Sequence, residues 1–337
     1  MFARAALFVT TALCAGGLFA SAAAYAADVK PAVIYDLGGK FDKSFNEGVF
    51  NGASKFKKET GIDFRDLEIQ NEAQREQVLR KFAKDGFSPI IMPGFAWATA
   101  LGKVADEFPN TKFAIIDAFV DKPNVQSMNF KAEEGSFLVG VIASETSKTG
   151  KVGFVGGMDV PLISAFECGY AQGVKYDSGG KTEVIANMTG TTPAAWNDPV
   201  KGGELAKSQI DRGADIVYAA AGQTGKGVLK AAADAGKFSI GVDSNQNGLF
   251  PGHVLTSMLK RVDVATYDSF MAAKNGTWKA GNQIFGLKND GVGYAVDDNN
   301  KAILSDAAKA KAEAAKADII SGKIVVHDYM SDNKCPV

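Results

Sequence analysis

Residues 38–52, GGKFDKSFNEGVFNG, gather polar and aromatic side chains where a strand-like run gives way to a helical one. Asp42, Lys43, Ser44 and Asn46 are interleaved with Phe41, Phe45 and Phe50. Carboxylates and amides hydrogen-bond to hydroxyls and ring N–H groups, and phenyl rings cover flat heterocycles. The chemistry on offer is recognition of a polar, partly aromatic small molecule. Some of the stretch has a plainer use. Ser44 with Glu47 three residues on fits a helix capping box. Phe45 with Val49 four residues on fits an inward helix face. Asp42 and Asn46 are explained by neither.

The same residue types recur after other apolar runs. Phe95 and Trp97 follow SPIIMPG, and Asp117 ends KFAIID. Trp196, Asn197 and Asp198 sit in TGTTPAAWNDP, a loop that gives an indole no helix or strand face to pack on. Gly222 lies in AAAGQTGKG, and Asp243 heads Asp243-Ser244-Asn245-Gln246. GQTGKG superficially resembles a phosphate loop, but Ala220 stands where the first glycine is required. Gly227 also replaces the hydroxyl residue after the lysine. The histidines are His253 and His327, neither at metal-ligand spacing from a cysteine or from the other. No Gly-x-Ser-x-Gly elbow occurs, and no carboxylate is paired with a nucleophile. These residues argue for binding without catalysis, cofactor or metal.

Positioning such groups needs strands whose ends converge. AVIYDL (32–37), FRDLEI (64–69), SPIIMPG (88–94) and KFAIID (112–117) alternate with amphipathic stretches at 44–60, 73–85 and 96–108. A short run, VQSMNF (125–130), precedes a helix from about 133 to 147. The pattern restarts at KVGFVGG (151–157) and repeats through TEVIANM, ADIVYAAAG and FSIGVDS. Strand–helix alternation of this period specifies βαβ units, parallel sheets and right-handed crossovers. The fold class is α/β, two doubly wound parallel-sheet lobes with a hinged cleft. A coda follows: VLTSML (254–259), a helix over 261–275, two short strands, an Ala/Lys helix over 304–320 and a last strand, KIVVHDY. Lobe 1 is expected to comprise 27–133 plus about 259–287, and lobe 2 134–258 plus about 288–337. Ligands of such sheets bind outside the carboxyl ends of the strands, here between the lobes.

The first residues set the compartment. Arg4 is followed by an apolar run and then by Ala24-Tyr25-Ala26, the pattern of a secretory signal spanning 1–26. Leu13 precedes Cys14, where a lipid-attachment signal calls for a small residue, so a cleaved, unanchored periplasmic form is expected. The charge is near balance, 37 Lys and Arg against 38 Asp and Glu, which gives nucleic acid no basic surface to bind. Cys168 and Cys335 either form a disulfide that pins the tail or remain two thiols.

The opening stretch is similar to the start motif of the basic membrane protein family, the purine-nucleoside-binding lipoproteins and their ABC-transporter relatives. The resemblance continues in order through NFKAEEGSFLVGVIAS, KVGFVGGMDVPLISAFECGYAQGVKY, WNDPVKGGELAKSQIDRGADIVYAAAGQTGKGV, IGVDSNQ and LTSMLKRVD. It implies the type I periplasmic binding protein fold, a monomer, a purine nucleoside or base as ligand, and a permease as partner. By position it implies that Asp42 and Asn46 lie near the ligand. Phe50 would cover one face of the base and Trp196, usually Phe in the family, the other. Gly222 matches the family's glycine after the third strand of lobe 2, Asp243 a ribose-binding aspartate and Lys260 a lysine near the cleft. Asp117 and Phe95 complete the candidate set. The indole and its remodelled loop leave room for another heteroaromatic, such as a flavin. Phe45 is assigned to the core.

Overall fold

The structure is a computed structural model that describes residues 1–2 and 29–337. The expected signal segment, with Cys14 and the expected cleavage point between Ala26 and Ala27, falls outside the described residues apart from residues 1–2.

Short β-branched runs buried on both faces form the sheets. In lobe 1, β1 (Ala32–Tyr35), β2 (Arg65–Glu68), β3 (Ile90–Pro93), β4 (Phe113–Ile116) and β5 (Val125–Phe130) are parallel. Helices α1 (Phe45–Thr60), α2 (Gln74–Lys84) and α3 (Ala98–Glu107) connect them. In lobe 2, α4 (Ala132–Thr146) precedes β6 (Lys151–Met158), α5 (Pro161–Ser178), β7 (Glu183–Gly190) and α6 (Pro199–Asp211). Then come β8 (Ile216–Ala220), α7 (Gly225–Asp234), β9 (Phe238–Asp243) and β10 (Val254–Lys260). The chain returns to lobe 1 with α8 (Val262–Lys274) and β11 (Gly281–Phe285), and ends in lobe 2 with β12 (Val292–Tyr294) and α9 (Asp306–Ile320). The sheet orders are β11-β5-β4-β3-β1-β2 and β12-β10-β9-β8-β6-β7, with only β12 antiparallel. Each sheet therefore reverses its winding beside its first strand, the place where such sheets form a crevice.

Each sheet is covered on both faces. Val49, Ala53 and Phe56 of α1 pack with Phe270 of α8 on one side of the first sheet, and Leu79, Phe82 and Leu101 lie on the other. In lobe 2, α4 and α5 approach so closely that a Cβ at Gly140, Gly169 or Gly173 would overlap the facing backbone. KIVVHDY is not a strand. β12 already occupies the sheet edge beside β10, so the segment runs unpaired, with Val325 exposed and Ile324 and Val326 packed near α4 and α9.

Among the described residues the chain crosses between lobes three times, at 130–132, 260–262 and 285–291. The crossings are tied together by Lys131 N–H to Phe285 O (2.8 Å) and Arg261 N–H to Gly291 O (2.9 Å). Glu133, buried at the first crossing, faces Glu134, Lys131 and Asp328. Burial pushes its carboxyl up to about 8, with the like charges of Asp328 and Glu134 adding to the effect. A disulfide joins Cys168 of α5 to Cys335, and Gln172 accepts from His327 N–H and donates to its carbonyl, both at 2.9 Å. Together they fasten the tail to lobe 2.

Two outcomes follow. An unfolded glutamate titrates near pH 4.3, so the stability linked to Glu133 is full below about pH 4 and is lost as pH rises through about 8. Urea unfolding between pH 5 and 8.5 should show this slope in the wild type and a flatter profile in Glu133→Gln. Replacing both Cys168 and Cys335 by alanine should lower the unfolding free energy by about 2–4 kcal/mol, because the crosslink constrains a long unfolded loop. Reductant should produce the same loss in the wild type and none in the variant.

Candidate functional site

The α1 entrance is organised by Asp42. Its carboxylate accepts the backbone N–H groups of Ser44 (2.8 Å), Asn46 (3.0 Å) and Glu47 (3.1 Å). The expected capping box of Ser44 and Glu47 does not form. A carboxylate two residues upstream already takes the orphan amides, and Glu47 turns back to the Lys43 N–H and ammonium. The Ser44 hydroxyl is thereby freed to reach across to lobe 2, where it donates to Asp243 Oδ2 at 2.5 Å. Ser244 Oγ donates to Ser44 O (2.8 Å) and Gln246 Nε2 to Lys43 O (3.0 Å). The helix start of one lobe is thus docked on the β9 end of the other, with the lobes closed.

Lys260, the last residue of β10, stands where the chain crosses back. Its ammonium lies 2.6 Å from Asp117 Oδ2, with side chains only 3% and 6% exposed. The rings of Phe45, Phe130 and Phe166 surround it at 4.9, 5.3 and 5.5 Å from their centroids. Asp117 and Asp243 each follow or end the fourth strand of a lobe, and both hold left-handed backbone, φ 67° and 62°. Such strain in non-glycine residues concentrates at functional sites. Burial raises the Asp243 carboxyl, against the pull of Lys260 and Ser44. Burial also pushes Asp42 up to about 7, against its three amides.

These groups line a cavity of about 400 Å³ between the lobes. Of the candidate residues, Asp42, Asn46, Phe95, Asp117, Trp196, Gly222, Asp243 and Lys260 are on its wall. Phe50 is not. Five residues along a helix from Phe45 is about 140° around the axis, which turns Phe50 away from the cleft. Its ring packs against Phe41 (5.4 Å) and Phe64 (6.2 Å), with the Lys40 ammonium 4.2 Å from its centroid. Phe45, assigned to the core, touches the lobe 1 core and also forms the cavity wall. Trp196 leans on Gly157, where a Cβ would overlap its ring, so the second glycine of VGGMD provides the indole's seat.

Phe166, Asp36 and Arg75 are wall residues outside the candidate set. Phe166, with Leu162 and Ile163, comes from the first turns of α5. Its signal was the apolar Leu162/Phe166 pair four apart, directly after a strand end. Asp36 and Arg75 are joined by a two-pronged contact, Arg75 Nη2 to Oδ1 and Oδ2 at 2.9 and 3.1 Å. Asp36 was visible at a strand end, but nothing in the spacing ties it to Arg75, 39 residues away. Among the described residues no group of His, Cys, Asp and Glu could hold a metal.

Two facing α/β lobes with a closed, aromatic and carboxylate-lined cleft define the class of two-lobed substrate-binding proteins. The model of the PnrA-like ABC transporter substrate-binding proteins, Bmp, matches residues 30–329, and the chain belongs to that family. It is similar to the ABC transporter nucleoside-binding protein BmpA of Lactococcus lactis, 30% identical over 89% of each chain. An uncharacterised lipoprotein of Pyrococcus horikoshii is 35% identical, over 79% of this chain and 68% of that one. The solute-binding protein of an ABC transporter system from Aeropyrum pernix K1 superposes with TM-score 0.82 at 30% identity, covering 89% of this chain and 94% of that one. A family of this kind implies export, a small-molecule ligand and an ABC permease as partner.

Lys260→Met would leave Asp117 and Asp243 buried without a cation. The expected loss is about 3–5 kcal/mol in urea unfolding. Adding Asp117→Asn should recover part of it.

Proposed function

We propose that the protein is the exported receptor of an ABC importer for a purine nucleoside or a free purine base. The observation that carries this reading is the cavity, where Phe45, Phe166 and Trp196 enclose a space bordered by Asp42, Asp243 and Lys260. Aromatic walls suit a flat heterocycle, and stacking contributes about 1–3 kcal/mol per base. Buried carboxylates suit hydroxyl and N–H donors, and Lys260 suits an acceptor. Two stacked faces and a few satisfied hydrogen bonds bring sub-micromolar affinity within reach after the costs of association. The name of the Lactococcus relative supports a nucleoside ligand. The hydroxyl–carboxylate pair at the cavity wall, Ser44 with Asp243, bridges the two lobes, and the family is one of substrate-binding proteins, which favours binding over hydrolysis. The residue before Cys14 is Leu13, which favours a cleaved periplasmic form even though several relatives carry lipoprotein names.

Calorimetry with adenosine, guanosine, inosine, adenine and riboflavin tests the reading. A purine should bind with micromolar or better affinity, and absence of heat with every purine would overturn it. Phe45→Ala and Trp196→Ala should each weaken binding by about tenfold or more, the loss of one stacking contact. Phe50→Ala should lower the melting temperature through its lost ring contacts while leaving the Kd within about threefold.

A further inference from the structure

The lobes also meet behind the cavity wall, between the segments that carry Asp42 and Asp243. Lys43 stands between Asp42 and Ser44 and holds left-handed backbone, φ 64°. That conformation is unfavourable for a residue with a Cβ. In it, the Lys43 carbonyl meets lobe 2, where Gln246 Nε2 donates to it at 3.0 Å. Neither residue is on the cavity wall, whereas Asp42, Asn46 and Asp243 are.

Lobe 2 fixes the Gln246 side chain before lobe 1 is reached. Oε1 accepts Val242 N–H at 2.9 Å, and the residue's own N–H donates to Ser257 Oγ at 2.9 Å. Gly241 of β9 makes the room, since a Cβ there would overlap the Gln246 side chain. The residue is buried. With Oε1 held on β9, the amide presents Nε2 outward, and a buried donor needs an acceptor. The acceptor it finds is a backbone carbonyl of the other lobe. Ser244 repeats the pattern two residues earlier, its Oγ donating to Ser44 O at 2.8 Å. Lobe 2 thus reads two consecutive carbonyls at the start of α1.

We infer that Gln246 is the latch of the cleft, a positioning residue that touches no ligand. By bonding Lys43 O it holds Asp42 and Asn46 of lobe 1 at the separation from Asp243 that lets one ligand reach both lobes. The inference rests on the purine reading and adds to it what keeps the purine enclosed. In an opened cleft, water replaces the Lys43 carbonyl at modest net free energy, so the latch tilts the balance between closed and open without fixing it. Its loss should therefore appear in ligand dissociation.

The test is Gln246→Glu, measured with whichever of adenosine, guanosine, inosine and adenine the wild type binds most tightly. Glutamate is nearly isosteric and keeps an acceptor for Val242 N–H. Ionised, it sets an oxygen against the Lys43 carbonyl; protonated, it donates again. Kd and dissociation rate are followed from pH 5 to 8.5 beside the wild type, because Asp42, Lys43, Glu47, Asp243 and Asp297 belong to the same surroundings in both proteins. The ratio of variant to wild-type Kd should be about tenfold or more at pH 8.5, through faster dissociation, and within about threefold at pH 5. A ratio within about threefold at every pH overturns the latch, and so does one that stays high at pH 5, the mark of lost packing. A second arm leaves the buried side intact. Lys43→Val and Lys43→Gly both lose the ammonium, but valine resists left-handed backbone and glycine accepts it. Valine should bind the purine at least about fivefold more weakly than glycine, and equal affinities overturn the latch. If the wild type binds no purine, the purine reading falls instead, and the latch, which rests on it, falls with it.

Discussion

The buried ion pair between Lys260 and Asp117 is the contact on which the arrangement of the cleft depends. Lys260 ends β10 in one sheet and Asp117 follows β4 in the other, so a single 2.6 Å contact joins the two lobes at the point where the backbone crosses. Removing two charges from water is expensive, and their attraction offsets this only when the geometry is good and further polar groups are satisfied. Here Phe45, Phe130 and Phe166 cover the ammonium with ring faces that favour a cation. Two of those rings are also cavity wall. The residues that make the lysine tolerable are thus the ones that shape the site.

The two lobes bring the same device to that lysine. Each fourth strand delivers an aspartate in left-handed backbone, Asp117 from lobe 1 and Asp243 from lobe 2. One is paired with Lys260 directly. The other accepts from Ser44, the side chain freed when Asp42 took over the helix cap. Closure therefore rests on short polar contacts rather than on a broad apolar seam. Contacts of that kind can be exchanged for water or for ligand groups at modest net free energy, which is what a cleft that must open requires.

Much of the architecture was legible because β-branched runs alternating with amphipathic helices permit few topologies. The strand-end rule led directly to Asp42, Asn46, Asp117, Trp196 and Asp243, because sheet geometry fixes where those residues emerge. Where a helix rather than a strand presents the residue, the sequence was ambiguous. Both Phe45 and Phe50 are apolar on faces of α1 that are covered, one by the cleft and one by Phe41 and Phe64, so hydrophobicity could not separate them. Phe166, on an apolar face of α5, was hidden by the same ambiguity. KIVVHDY had strand composition but no free sheet edge, a fact that only the tertiary pairing of β12 decides.

Arg75 illustrates a different blindness. In sequence it is an ordinary charge in the first turn of an amphipathic helix, where a solvated position is the default. What removes it from solvent is Asp36, and what makes Asp36 more than a turn residue is Arg75. Neither acquires its role alone, so no scan of single positions could find the pair. Their coupling sets one guanidinium against two carboxylates, Asp36 and Glu72, so this part of the wall is polar yet offers a ligand no free positive charge.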